Sequence, residues 1–291
     1  KSLTPSLSRP IHVHAVALPT TSLPTQKSKS GLETYAMRSV QYFDRTDGGA
    51  SLAYQLVPGT PPTVVFLCGY RSDMSGKKAT SVRRWAARRG AAALSFDWSG
   101  HGLSHGDFEQ CTVSTWIKDA LCLIDALTSG PLVLVGASMG GWIMLHLALA
   151  RPQRVSGLIG LGSAPDFPDQ MLERRFSDAQ TRALESEGIV HLPSRYDDGP
   201  YPVTKALLDD GQKLRLLDRP IHITCPVRLF HAMADPDVSW ERSVAVAKAL
   251  VGNDVRLELS KVGDHRLSSE EDLRRLDACL GEMADRLLQL P

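Results

Sequence analysis

A serine hydroxyl becomes a useful nucleophile only when the chain pushes it outward and a base can take its proton. Two stretches fit the Gly-x-Ser-x-Gly pattern that meets the first condition. They are Gly102-Leu103-Ser104-His105-Gly106 and Gly136-Ala137-Ser138-Met139-Gly140. The pattern works only with a buried strand before it and a helix after it, because the sharp turn between them exposes the hydroxyl. Residues 131–135, Pro-Leu-Val-Leu-Val, form a short apolar run of the kind buried in a covered parallel sheet. Residues 142–150 are rich in Ala, Leu and Met, and Pro152 stops the helix they favour. Ser138 has the required frame. Ser104 follows a glycine-rich polar run and precedes Asp107-Phe108-Glu109-Gln110, so it reads as a loop residue.

A base must reach Ser138, and in chains of this architecture the partners follow in the order serine, acid, histidine. The histidines after it are His146, His191, His222, His231 and His265. His146 falls within the helix, His191 in a long insertion, and His222 ahead of a strand; His231 ends a strand. His265 sits in Val262-Gly263-Asp264-His265-Arg266, a polar loop after the last strand, at the sheet edge where Ser138 emerges. It is the expected base. The acid belongs on the neighbouring loop, where Asp235 and Asp237 both qualify by spacing; Asp264 reads as a turn residue. Acyl transfer also needs two N–H donors for the oxyanion. These are expected from Met139, at the start of the helix, and from Tyr70, in the loop after the strand at 64–67.

The elements that must position these groups can be read in order. Segments 39–43 and 51–56 flank Asp47-Gly48-Gly49 as a hairpin. Strands follow at 64–67, 91–96, 131–135, 155–161, 227–230 and 255–259, with helices between them and a charged helix at 269–288. This order predicts an α/β fold with a mostly parallel eight-stranded sheet and helices on both faces. In the helix at 78–89, Arg83, Arg84, Arg88 and Arg89 read as a solvated face. Residues 164–218 break the alternation with helical stretches at 178–187 and 203–217. They are expected to form a helical lid over the strand ends. Within it, Phe167, Met171, Leu172 and Phe176 would contact an acyl chain, and Arg195 a polar substrate end.

Composition narrows the function classes. With 33 basic against 32 acidic residues, nothing in the charge balance favours nucleic acid or an anionic membrane. No apolar run approaches a membrane-spanning length. Five cysteines, odd in number and never in Cys-x-x-Cys spacing, suggest neither a zinc site nor a disulfide framework, and point to a reducing compartment. No metal-ligand spacing and no cofactor motif is present, so none is expected. Residues 1–36 are Ser-, Thr- and Pro-rich and match neither a signal nor a transit peptide. They are expected to lie outside the folded core, as a leader or non-native extension, with 37–291 folding as one domain.

Further stretches extend the pattern: Gly76-x-Lys78-Ala79, Phe96-Asp97-x-Ser99-Gly100-x-Gly102-x-Ser104, Gly140-Gly141-Trp142, Leu192-Pro193-Ser194-Arg195-Tyr196 and Asp264-His265-Arg266. With these the chain, from about Val40 onward, resembles the α/β-hydrolases. Within them it resembles the branch that holds the mitochondrial palmitoyl-protein thioesterase and acyl-glucuronide esterase of animals and their bacterial relatives. The resemblance implies the α/β-hydrolase fold and a serine hydrolase that cleaves small carboxylic esters or thioesters through an acyl-enzyme. An S-acylated protein is a further implied partner. The family's acid stands three residues before a valine, here Val238, which selects Asp235. Cys68 departs from the histidine that many lipases and esterases carry there. In animals this branch is mitochondrial, but residues 1–36 fit a transit peptide poorly, so the expected location is the cytoplasm of a bacterium, with mitochondria as the alternative. Rival readings are a ligand-binding homologue without turnover and a cofactor-free haloperoxidase or perhydrolase. A haloalkane dehalogenase would need a carboxylate where Ser138 stands.

Overall fold

The computed structural model describes residues 39–169, 176–194 and 199–288. The proposed extension at 1–36 and the candidate contacts Met171, Leu172 and Arg195 lie outside the described residues. The described residues open with an antiparallel pair, β1 (Gln41–Phe43) and β2 (Leu52–Val57), around the turn at Gly48. Then come β3 (Thr60–Leu67), helix α1 (Lys77–Arg89), β4 (Ala91–Phe96), α2 (Val113–Leu127), β5 (Leu132–Ala137), α3 (Met139–Ala150) and β6 (Val155–Leu161). The insertion contributes α4 (Asp178–Ser186), β7 (Ile189–Leu192), β8 (Tyr201–Thr204) and α5 (Lys205–Lys213). The chain returns through β9 (Val227–Ala232), α6 (Glu241–Ala249), β10 (Val255–Ser260) and α7 (Glu270–Leu288).

Eight strands form one sheet in the order β1-β2-β4-β3-β5-β6-β9-β10, and only the β1/β2 and β2/β4 pairings are antiparallel. The expected mostly parallel sheet is the one observed. Strands β4 and β5 are buried along their whole length, as continuous apolar runs in a covered sheet must be. Helix α1 packs beside α7, and α2 beside α3. Strand order reverses at β3, whose neighbours are β4 on one side and β5 on the other. Ligands in such sheets bind beyond the carboxyl ends of strands at this switch point.

Two expectations need correction. Arg83 is not on a solvated face. It shares the core-facing side of α1 with Ala79, Val82 and Ala86, and its guanidinium donates to the Met74 carbonyl at 2.9 Å and the Ser95 hydroxyl at 2.6 Å. Its long stem lies along the core and its head finds buried acceptors, which periodicity alone does not reveal. Arg84, Arg88 and Arg89 are exposed as expected.

The insertion, likewise, is not wholly helical. Residues 203 and 204 belong to β8, which pairs antiparallel with β7, from Ile189 opposite Thr204 to Leu192 opposite Tyr201. Val190 and Val203 bury each other with Leu208, against Phe176 and Leu184. The β-branched residues here favour a strand pair, and Pro202 is tolerated because both strands are edges. The Asp166 carboxylate joins the two ends of the insertion by accepting the Leu216 and Leu217 amides at 3.0 and 2.9 Å. The His146 ring donates to the Leu214 carbonyl at 3.0 Å and ties α3 to the same place.

Candidate active site

Three loops at the carboxyl ends of β3, β5 and β10 converge around Ser138. Ser138 itself sits between β5 and α3 at φ 51°, a left-handed conformation that costs a non-glycine residue energy and must be held by its surroundings. The turn is held by three backbone hydrogen bonds. Ser138 donates its amide to the Leu161 carbonyl, and its own carbonyl accepts from the amides of Gly141 and Ala164. The glycines on either side are needed for close approach. A Cβ on Gly136 would lie 2.5 Å from the Gly140 carbonyl oxygen, and one on Gly140 would lie 2.2 Å from the Leu67 oxygen. Helix α3 is apolar all round and buried on nearly all sides, so the elbow stands on a rigid base.

His265 lies in the loop after β10, and its Nε2 is 2.9 Å from the Ser138 hydroxyl. Its Nδ1 is 2.7 Å from Oδ2 of Asp235, in the loop after β9. A carboxylate only accepts, so Nδ1 carries the proton and Nε2 is free to accept from the serine. Asp237 contributes its backbone here: its amide donates to Oδ1 of Asp235 at 2.8 Å, beside the Val238 amide at 3.0 Å. The Asp235 side chain is 1% exposed. Burial alone would push its pKa up. Hydrogen bonds from His231 and His265 and the Val238 amide overcome that and hold it well below the usual carboxylate range.

His231 is the residue that sequence reasoning missed. Its Nε2 donates to Oδ2 of Asp235 at 3.1 Å and to the Val238 carbonyl at 3.0 Å, while Nδ1 accepts from the Ser243 hydroxyl at 2.7 Å. The one available signal was its position four residues before Asp235 at a strand end. Lys78, at the start of α1, is a second such residue, and its signal in the sequence is the Gly76-x-Lys78-Ala79 stretch. Its ammonium donates to the Arg266 carbonyl and to the Ser268 hydroxyl at 3.4 Å, tying α1 to the loop of His265. Burial pushes its pKa down to about 8.

The loop after β3 lies against the serine: a Cβ on Gly69 would stand 3.3 Å from Cβ of Ser138. Tyr70 follows in that loop, and Met139 opens α3, where the free amides of a helix N-terminus favour negative charge. The Tyr70 ring reaches the insertion, its hydroxyl donating to the Pro202 carbonyl at 2.5 Å. A cleft of about 1570 Å³ opens over Ser138 and His265, walled by Phe167, Phe176, Leu192 and Tyr201 from the insertion and by Tyr70 from the core. Phe167 packs between Tyr70 and Trp142. Phe176 faces the cleft while also packing on the insertion's own small core.

Ser104, in the other Gly-x-Ser-x-Gly stretch, is bound within the fold. Its hydroxyl donates to the Asp97 carbonyl at 2.6 Å and accepts the Ala53 amide at 2.8 Å, bridging the ends of β4 and β2. Cys68 is buried with its thiol toward the Phe96 carbonyl. Among the described residues no helix is long and apolar enough to cross a membrane.

Residues 62–191 match the family described as alpha/beta hydrolase fold. The chain is 40% identical to the mouse protein named palmitoyl-protein thioesterase ABHD10, mitochondrial, over 81% of this chain and 80% of that one. It is 37% identical to the human protein of the same name over 86% and 81%. Among solved structures, mouse alpha/beta hydrolase domain-containing protein 10 superposes with a TM-score of 0.80 at 38% identity, covering 86% of this chain and 99% of that one. A putative hydrolase from Agrobacterium vitis S4 gives 0.80 at 35%, covering 84% and 98%. The chain therefore belongs to the α/β-hydrolase superfamily, in the branch of ABHD10.

Proposed function

We propose that this protein is a serine hydrolase of carboxylic esters and thioesters, working through an acyl-enzyme on Ser138. The observation that carries the reading is the unbroken path from the Ser138 hydroxyl through His265 to Asp235, at 2.9 and 2.7 Å, in a cleft that Phe167 and Phe176 wall on the insertion side. In this scheme His265 takes the serine proton as Oγ attacks the acyl carbon. Asp235 keeps His265 in the required tautomer and stabilises the imidazolium that forms. The Tyr70 and Met139 amides bind the oxyanion. The leaving alcohol or thiol departs with the proton from His265, and a water activated by the same ring frees the acid. The scheme uses only protein groups and water.

The insertion, 164–218, acts as the lid in this reading. Phe167 and Phe176 supply apolar wall to the acyl chain, and the adjoining Met171, Leu172 and Arg195 are proposed to extend the site. The relatives are named palmitoyl-protein thioesterase. That supports acyl thioesters, including S-acylated protein, as substrates beside small esters. The same names include mitochondrial, which favours the mitochondrial alternative over the cytoplasm; five unpaired thiols suit either compartment. The test is hydrolysis of p-nitrophenyl esters of increasing chain length beside an S-acyl cysteine peptide. Turnover of both ester and thioester that is lost in Ser138→Ala supports the reading. Saturable binding of these compounds with no turnover would instead favour the ligand-binding homologue.

A further inference from the structure

The Gly-x-Ser-x-Gly stretch that does not hold the nucleophile has an unexplained set of contacts. Residues 97–104 run beneath the loop after β3, and three hydrogen bonds join the two segments. The Trp98 indole donates to the Cys68 carbonyl at 3.2 Å, the Met74 amide to Asp97 at 2.7 Å, and the Arg71 amide to Nε2 of His101 at 3.1 Å. A backbone amide can only donate, so Nε2 of His101 must be unprotonated, and Nδ1 carries the proton toward the Ser99 carbonyl at 3.3 Å. Burial pushes the His101 pKa down to about 4, which keeps the ring neutral and Nε2 free. The ring is 4% exposed and wedged among Tyr70, Phe108 and Trp116.

The amide it accepts belongs to a strained residue. Ser72 donates to the Gly69 carbonyl at 3.1 Å, closing a four-residue turn with Tyr70 and Arg71 at its centre. Arg71 has φ 53°. A positive φ at the third position marks a type II turn, where glycine is the usual occupant. The competing type I turn would relieve Arg71 by flipping the Tyr70–Arg71 peptide, and that flip would turn the Tyr70 carbonyl toward Nε2 of His101. Two acceptors would then face each other, so the ring opposes the flip. The flipped peptide is the one immediately after the Tyr70 amide.

We propose that His101 is a positioning residue for ester cleavage, holding the strained Gly69–Ser72 turn so that the Tyr70 amide meets the oxyanion. The proposal rests on the reading of Ser138 as nucleophile. His101→Phe keeps the ring and removes the acceptor; His101→Gln places an amide oxygen where Nε2 stood. For p-nitrophenyl butyrate, His101→Phe lowers kcat about 10- to 100-fold with KM within about twofold, as expected for a displaced oxyanion donor. The inhibition constant of an alkyl trifluoromethyl ketone, which forms a tetrahedral oxyanion on the serine, rises by a similar factor. His101→Gln recovers most of both. A residue that only supports the fold would lower Tm without this paired change. Wild-type kcat in His101→Phe, equal losses in Phe and Gln variants, or a fall in kcat with unchanged ketone affinity would each overturn the proposal. If the Phe variant fails to fold, His101→Asn, whose amide stops short of Arg71, takes its place in the same comparison. Ser138→Ala run alongside separates the two claims: activity retained there overturns the nucleophile and with it this role, whereas activity lost there with wild-type kinetics in His101→Phe overturns only the role of His101.

Discussion

His231 and His265 share one oxygen of Asp235, at 3.1 and 2.7 Å. The carboxylate is thus held by an imidazole on each side and by two backbone amides on its other oxygen. One histidine faces Ser138, and the other is locked by Ser243 and the Val238 carbonyl. His231 therefore aims the carboxylate and keeps it charged inside the fold. A charge-assisted hydrogen bond of this kind is worth roughly 1.5–3 kcal/mol. His231→Phe is expected to lower kcat about tenfold while Ser138 stays open to covalent labelling. Wild-type kcat in that variant would remove His231 from the account.

The choice between the two acids is testable on its own. Asp235→Asn is expected to lower kcat by up to about 10⁴-fold, because the amide turns His265 to the wrong tautomer. Asp237→Asn leaves the backbone amide that Asp237 supplies and is expected to change kcat little. Steady-state rates of the two variants decide it, and a larger loss for Asp237→Asn would reverse the assignment.

How much of this was legible before the structure depended on what each feature rests on. The sheet was legible because each buried strand is a short apolar run, and Ser138 because strand, glycine and helix are contiguous in sequence. His265 could be picked by its place after the last strand. Asp235 could not be separated from Asp237 by spacing, because the difference lies in which side chain turns toward the ring. His231 and Arg83 were missed for the same reason. Their roles come from the direction in which each side chain turns and from the partners it meets there, Ser243 and Ser95 among them, which no local pattern records. The β7–β8 pair was hidden by its short strands and by Pro202.

Lys78 links α1 to the loop of His265 through the Arg266 carbonyl and the Ser268 hydroxyl. Lys78→Met keeps the stem and removes the ammonium. It is expected to lower kcat several-fold with a smaller change in KM, as the histidine loop loses its tether to α1. Unchanged kinetics across pH 7 to 9 would show that the tether does not matter.

Acid should destabilise the fold in a defined window. Burial pushes His101 and His146 down to about 4, against about 6.5 in an unfolded chain. Between those values the unfolded state binds more protons, so stability falls as pH drops from about 6.5 to 4. Burial raises the carboxyl groups of Asp97, Asp119 and Asp166, which acts with the opposite sign and cannot cause the loss. His146→Gln is therefore expected to show a smaller drop in Tm between pH 7.5 and 5 than the unmodified protein. An identical drop would mean that His146 takes up its proton without unfolding.

The lid reading predicts that Phe176 tunes chain length. Phe176→Trp is expected to lower kcat/KM for long p-nitrophenyl esters relative to the acetate, with little change for the acetate itself. If the profile is unaltered, Phe176 serves only the small core it shares with Val190 and Val203.

The central claim, that Ser138 is the activated nucleophile, is tested most directly by fluorophosphonate labelling read by peptide mass spectrometry. The account predicts one adduct per chain, on Ser138, that is lost in Ser138→Ala and retained in Ser104→Ala. An adduct on Ser104, or labelling that survives Ser138→Ala, would contradict it.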